Sequence, residues 1–162
     1  MKILFSILFA TLFICSPELS KVRIDYKNAI HNKENTVELH IDLASVNNND
    51  SKVLVAYKGA VTTLMAKFAK NSKDKKDFFK EGATLIEYAV TEDSNNIEIR
   101  CIRLGVQENT PKVVKYRKSI PEDKQFILDH YKEITSSKEK DYIKGFILQS
   151  KSFTVAEKEL IE

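Results

Sequence analysis

Glycine and proline are scarce in this chain, with four glycines and three prolines among 162 residues. Sheet proteins generally need more of both, because tight turns must join their strands. Lysine, glutamate, alanine, leucine and isoleucine are common instead, and most of these residues favour helix. The composition therefore predicts an all-α protein.

Helix starts are marked by a recurring local pattern, in which a serine, threonine or asparagine precedes a glutamate by three residues. In such a capping box, the two side chains satisfy backbone N–H groups reciprocally at the first turn. Pro121 fits the pattern, since a proline in the first turn removes an N–H that would be unpaired anyway. Each box precedes an apolar run with helical spacing. The four boxes begin at Asn95, Ser119, Ser136 and Thr154.

Apolar residues recur at three- and four-residue steps, which is typical of amphipathic helices. Residues 36–46 are ambiguous, because Val37, Leu39, Ile41 and Leu43 alternate as in a strand. We favour helix there, since an isolated strand would have no partner. The other segments with helical spacing are 19–33, 53–68, 78–90, 97–106, 126–134, 143–147 and 155–161.

The connections between these segments are short and polar. Short links place consecutive helices side by side and antiparallel. One connection is longer, at residues 108–119, and a loop of that length is a reasonable place to look for function. The short connections are predicted at 72–77, 92–95, 136–137 and 151–152.

The first fifteen residues have the pattern of a secretory signal peptide. Lys2 provides a positive charge, and residues 3–15 are apolar apart from Ser6 and Thr11. This run is shorter than the ~20 apolar residues that a membrane-spanning helix needs. We therefore predict a signal peptide at 1–20, a single helical domain at 21–162 and an exported protein, periplasmic or extracellular, with no transmembrane helix in its mature chain.

The two cysteines limit the chemistry of the exported chain. Lipid attachment at Cys15 is the less favoured alternative, because Ile14 is bulky where bacterial lipoproteins carry a small residue. Cys101 is then the only thiol of the mature chain, so neither an intramolecular disulfide nor a cysteine-rich zinc site can form. The three histidines lack the spacing of a zinc protease. We predict no metal and no cofactor.

The charge pattern argues against nucleic acid as a partner. The formal net charge is +3, and acidic and basic residues are interleaved. A nucleic-acid-binding domain would have a clustered basic face and a pI above about 9. The densest basic run could contact an anionic lipid surface or an acidic partner, and its alternative is a solvated surface. This run contains Lys112, Lys115, Arg117 and Lys118 around Tyr116.

Residues 80–103 resemble the tetratricopeptide family of helical repeats. Gly82, Ile86, Ala89 and Ser94 occupy the small, bulky, small and turn positions of the repeat's second helix, and Asn96-Ile97-Glu98 opens the helix that follows. Ser94 stands where that family has proline. The resemblance implies a right-handed α-α superhelix of antiparallel helix pairs, whose concave surface binds an extended segment of a partner.

The whole chain is also similar to a family of secreted bacterial proteins whose role is uncharacterised. That similarity implies a single helical domain and brings no activity with it. It rests on Tyr57-Lys58-Gly59-Ala60, Met65-Ala66-Lys67, Asn96-x-Glu98-x-Arg100-x-x-Arg103, Gln107-Glu108-Asn109-x-Pro111 and Glu122-Asp123-Lys124.

The candidate binding site is a polar stripe on the helix that begins near Asn96. Arg100, Arg103 and Gln107 are spaced by three and four residues and share one face. Arginine forks bind carboxylates in a bidentate manner, so we predict a protein or peptide partner with acidic groups. The predicted binding residues are Tyr57, Lys67, Arg100, Arg103, Gln107 and Asn109.

Two alternatives remain for these residues and for the function. The arginines form structural ion pairs in the first alternative, which we favour for them, with Glu81, Glu87 or Glu98 as partner. A small envelope hydrolase that uses Glu108 and Glu122 near the 108–119 loop is the second. The sequence contains no Gly-x-Ser-x-Gly elbow and no phosphate-binding glycine loop. We therefore predict a non-enzymatic interaction or scaffold module and keep the hydrolase as the alternative.

Overall fold

The computed structural model describes residues 17–161, which are all-helical and contain no β-strand. The all-α prediction is confirmed for these residues. Residues 1–15, on which the signal-peptide prediction depends, lie outside the described part of the chain. The helices are α1 (Leu19–Ala29), α2 (Lys33–Asp42), α3 (Lys52–Phe68), α4 (Ser72–Glu92), α5 (Ile97–Asn109), α6 (Ile120–His130), α7 (Ser137–Gln149) and α8 (Val155–Glu159), with 3-10 turns at Lys112–Val114 and Tyr131–Glu133.

Two of the four predicted capping residues cap a helix with their side chains. Thr154 forms a complete box with Glu157, and the Ser136 side chain accepts from the backbone N–H of Glu139. The asparagine cap of α5 is Asn96 rather than Asn95, and it accepts from two backbone N–H groups. Ser119 precedes α6 without a capping hydrogen bond from its side chain. Local side-chain chemistry therefore fixes most of these helix starts to within one residue.

Two segment boundaries differ from those predicted. Residues 19–33 are not one helix, because Asn32 caps a new helix and accepts from the backbone N–H of Asn35. Residues 72–77 are not a connection. They form the first turns of α4, because the Asn71 side chain accepts from the backbone N–H of Asp74. The strand alternative for 36–46 is wrong, since α2 occupies most of that segment.

Helices α3 and α4 form an antiparallel hairpin that is held together at two glycines. Gly59 faces Gly82 and Ile86, while Gly82 faces Thr63. A Cβ atom on Gly59 would lie 2.6 Å from the carbonyl oxygen of Gly82. The missing side chains therefore let the two backbones approach until they touch.

Helix α5 lies between two hydrophobic clusters and supplies residues to both. Ile99 and Val106 pack with α1 to α4 in the first cluster. Cys101 and Leu104 pack with α6, α7 and the C-terminal segment in the second. A third face of α5 contains the polar stripe, so this stripe is enclosed by neighbouring helices instead of facing solvent. No helix among the described residues has both the length and the apolar composition of a membrane-spanning segment.

Candidate functional site

The two arginines of the polar stripe are engaged by carboxylates from α4 and α6. Arg103 donates to both carboxylate oxygens of Asp123, at 2.7 and 2.6 Å, and to Glu87 at 2.9 Å. Arg100 donates to Asp123 at 3.0 Å and to Glu122 at 2.6 Å. Asp123 is completely buried. We call this set of Arg100, Arg103, Glu87, Glu122 and Asp123 the ion-pair cluster.

The ion-pair alternative for the arginines has the right chemistry but only one of the predicted partners. Glu87 was among the three glutamates named from the sequence, whereas Glu81 and Glu98 do not contact these arginines among the described residues. The central partner, Asp123, lies 20 residues from Arg103 and carries no local signal that could have found it. Only the packing of α6 against α5 places this carboxylate between the two guanidinium groups.

The other four predicted binding residues differ in their exposure and in their contacts. Tyr57 and Gln107 are completely buried, and neither side-chain polar atom of Gln107 has a hydrogen-bond partner among the described residues. Lys67 donates to the carbonyl of Ile30 at 3.1 Å. Asn109 donates to the carbonyl of Gly105 at 2.8 Å. The six residues therefore do not line one open surface.

A second buried polar network joins four helices around Glu98. Arg23 of α1 binds both oxygens of this carboxylate, at 2.8 and 2.6 Å. Tyr57 of α3 donates its phenolic proton to Glu98 at 2.7 Å. The hydroxyl oxygens of Tyr57 and Tyr142 are also 2.7 Å apart. Because Tyr57 has a single phenolic proton and donates it to Glu98, Tyr142 of α7 is the donor in this second contact. This arrangement satisfies Glu98 and gives Tyr57 a structural role.

Burial makes the tyrosines sensitive reporters of the folded state. It raises the pKa of Tyr142 to about 12, and it raises the pKa of Tyr57 well above the ordinary value, with a further contribution from nearby Tyr142. Burial is also the main reason that the pKa of Tyr116 is raised, and the neighbouring carboxylate of Glu87 raises it further. The pKa is raised in the same direction for five tyrosines, which are Tyr26, Tyr57, Tyr116, Tyr131 and Tyr142.

We expect a delayed tyrosine titration that ends in alkaline unfolding. An unfolded chain ionises its phenols near pH 10, whereas the folded chain keeps these five tyrosines protonated to higher pH. The folded state therefore holds more protons above about pH 10, and its stability falls as the pH rises further. Tyrosinate absorbance and helical circular dichroism should change together at a pH well above 10. Full ionisation of the tyrosines near pH 10 with the helical signal intact would contradict their burial. The same titration of the chain unfolded in denaturant is the reference.

The carboxylates of the hydrolase alternative are held by structural contacts. One oxygen of Glu108 accepts from the hydroxyls of Ser150 and Ser152, at 2.6 and 2.9 Å, and from the backbone N–H of Lys151 at 3.1 Å. Glu122 binds Arg100, and that hydrogen bond lowers the pKa of its carboxyl below the ordinary value. Glu108 therefore anchors the segment after α7, and Glu122 belongs to the ion-pair cluster.

Two further chemistries find no support in the described residues. Cys101 is buried, and burial raises the pKa of its thiol well above the ordinary value, so the reactive thiolate is disfavoured. Residues 17–161 contain no group of three His, Cys, Asp or Glu side chains that could hold a metal ion.

A large open groove lies between α4 and the loop that follows α5. Its volume is about 810 Å³. Phe79, Ala83, Val113 and Val114 provide its apolar surface, and lysines stand at its edges. We call it the lysine-rimmed groove. Its lining residues are Ser72, Lys75, Lys76, Phe79, Lys80, Ala83, Thr84 and Glu87 of α4, with Val113, Val114, Lys115 and Tyr116 of the loop.

The ion-pair cluster holds the loop wall of this groove in place. The Tyr116 hydroxyl donates to Glu87 at 2.8 Å, and Glu87 in turn accepts from Arg103. The Tyr116 ring packs edge-on against Phe79, with ring centroids 5.5 Å apart. Lys115 adopts a left-handed backbone conformation, with φ of 58°, which turns the chain just before Tyr116. The buried arginines therefore shape the groove through Glu87 without lining it.

The lysines at the rim form no ion pair within the described part of the chain. Lys75, Lys76, Lys80 and Lys115 are exposed, and no carboxylate of residues 17–161 forms an ion pair with them. The acidic residue of the groove, Glu87, is already bound to Arg103 and Tyr116. The groove therefore combines an apolar floor with a positive edge.

From the sequence alone, the two sides of the lysine-rimmed groove belong to segments with no evident connection. Residues 72–77 were predicted as a connection, and the basic run of the 108–119 loop was left with two alternatives. A stripe at three- and four-residue spacing on α4, from Lys75 through Phe79 to Ala83, is a signal that could have extended the helix. Nothing local indicates that this stripe faces Val113, because the two lie on different elements.

A comparison with protein-family models, with curated proteins and with solved structures finds no match to this chain. The function is therefore inferred from the geometry of the groove and its surroundings.

Proposed function

We propose that this protein is a non-enzymatic interaction module that binds a segment of a partner protein in the lysine-rimmed groove. The observation that carries the proposal is the groove itself, which exposes apolar side chains together with lysines that have no ion-pair partner among residues 17–161. Val113 is 84% exposed and Val114 is 43% exposed. Exposed apolar patches of this kind, rimmed by polar residues, are typical of interaction sites.

Two further proposals concern the architecture and the location of the protein. We propose a tetratricopeptide-like right-handed superhelix, which is supported by the antiparallel α3–α4 pair and by the small residues at its crossing. We also propose that the protein acts after export, in the periplasm or outside the cell, which is supported by the charged and then apolar pattern of residues 1–15. The partner in this setting would be a protein or peptide with acidic groups.

Site-specific photo-crosslinking tests the proposed function. We expect a benzoylphenylalanine at position 113, introduced into the full chain in its source cells, to give a discrete crosslinked adduct. The matched control is the same substitution at Val155, which is 74% exposed on α8 and lies outside the groove. The adduct at position 113 should disappear when Lys76 and Lys80 are both changed to glutamate.

Two outcomes of the crosslinking experiment would contradict the proposal. The first is the absence of a discrete adduct at position 113. The second is an equal pattern of adducts at positions 113 and 155, because that would mean that exposure alone determines the crosslinking.

A further inference from the structure

We propose that the occupant of the lysine-rimmed groove is an acidic amphipathic helix of a partner protein, which lies along α4. This inference rests on the proposed function and specifies the partner's chemistry. Apolar side chains of the partner helix would contact Phe79, Val113 and Val114, and its carboxylates would reach the lysines at the edge.

The shape of the groove favours an elongated occupant. The α4 residues that line it run from Ser72 to Glu87. At 1.5 Å per residue this stripe is about 22 Å long, the length of a four-turn helix. A helix recognised in an apolar groove contacts it through residues at three- and four-residue spacing on the bound helix.

The open side of the groove favours a helix over a small apolar ligand as its occupant. Small-molecule sites generally enclose most of their ligand's surface. An acyl chain in this groove would leave one side in water, since the groove is open to solvent. An amphipathic helix buries its apolar face against the floor and presents its polar face to water, so it satisfies both surroundings.

The charges at the rim determine the sign of the partner. On a helix with 100° between residues, Lys75 lies on one side of Phe79, while Lys76 and Lys80 lie on the other. Lys115 adds a further positive charge from the loop wall. Because the carboxylate of Glu87 is already bound by Arg103 and Tyr116, acidic groups on both flanks of the partner's apolar stripe complement the groove.

Residues 1–16 of this chain do not fit that description. They are apolar and contain Lys2 but no acidic residue, so they bring no charge that complements the lysines. A separate partner is therefore the better match, and a second copy or a lipid surface is distinguished from it by experiment.

Peptide binding to the full chain tests the inference. The probes are two labelled helical peptides of about four turns with the same leucine stripe, one flanked by glutamates and the other by lysines. We expect the glutamate peptide to bind at least about tenfold more tightly, with an affinity that falls as salt rises. The double variant Lys76→Glu/Lys80→Glu should reverse this preference.

The control variant and a chemical-shift map define the site. Lys132→Glu/Lys138→Glu makes the same charge change at two exposed lysines outside the groove and should leave the preference unchanged. Bound peptide should shift the methyl signals of Val113 and Val114. Equal binding of both peptides, or loss of preference in the control variant, would overturn the inference.

A lipid surface or a second copy of the chain in the groove would give different binding results. Binding to phosphatidylglycerol vesicles without binding to the glutamate peptide would indicate a lipid surface and overturn the inference. Self-association that Lys76→Glu/Lys80→Glu abolishes would do the same in favour of a second copy. If position 113 crosslinks to a partner but neither peptide binds, the interaction module stands and the acidic helix is wrong.

Discussion

Replacing Asp123 with asparagine is expected to lower the free energy of unfolding by about 3 kcal/mol, because it leaves two buried arginines without their shared counterion. Asp123 is fully buried and accepts three of the hydrogen bonds that Arg100 and Arg103 donate. Asparagine keeps the size of the side chain but removes the charge and replaces one acceptor with a donor. Urea unfolding, followed by circular dichroism, measures the change.

Glu122→Gln is the matched control for this substitution. Glu122 is 64% exposed and belongs to the same cluster, so the loss of its charge should cost less than about 1 kcal/mol. A similar loss of stability for both variants would show that burial does not set the contribution of this cluster. Since Arg103 holds Glu87, which holds Tyr116, we also expect Asp123→Asn to disturb the methyl signals of Val113 and Val114 at the groove.

Replacing Gly82 with alanine is expected to destabilise the protein by about 3 kcal/mol or more, because the new methyl group would overlap the opposing helix. Its Cβ atom would collide with the carbonyl oxygen of Gly59 and lie 2.6 Å from the Thr63 methyl group. A flexible side chain could rotate away from such a contact, but the backbone carbonyl of Gly59 cannot, so α3 and α4 must separate. The resulting gap would loosen the first hydrophobic cluster along the hairpin.

Gly145→Ala provides the opposite result in the same experiment. Gly145 lies within α7, and a Cβ atom there would meet nothing within 4 Å. Alanine has the higher helix propensity, so this variant should gain about 0.5 to 1 kcal/mol. Thermal unfolding of the two variants should therefore move in opposite directions. A stabilised Gly82→Ala variant would contradict the close approach of the two helices.

The helices themselves could largely be predicted from the sequence, and the errors have local causes. The caps at Ser136 and Thr154 act within three residues, so they are readable without knowledge of the fold, and the asparagine cap of α5 lies one residue after the predicted Asn95. Asn32 and Asn71 also act locally, but neither is followed by glutamate at the third position, so the capping-box pattern missed them. Asn32 accounts for the early end of α1 and the early start of α2, and Asn71 accounts for the early start of α4.

The site was harder to predict because its parts are distant along the chain. Arginine spacing on α5 indicated one polar face, and the structure shows that face enclosed by carboxylates. Phe79 and Gly82 both belong to the segment 78–90, whose apolar spacing predicts one helix. The structure divides these residues between α3 and the lysine-rimmed groove. Which neighbour each side of a helix meets depends on packing, and no local pattern encodes it.

The sequence alone determined that this is a helical protein, because capping and apolar spacing act within one or two turns. Tertiary structure decided everything that depends on partners far apart in the chain. Asp123 meets Arg103 across 20 residues, and Tyr116 meets Glu87 across 29. Those long-range contacts surround the arginines of the polar stripe with carboxylates, and they place the exposed lysines of α4 beside the valines of the loop.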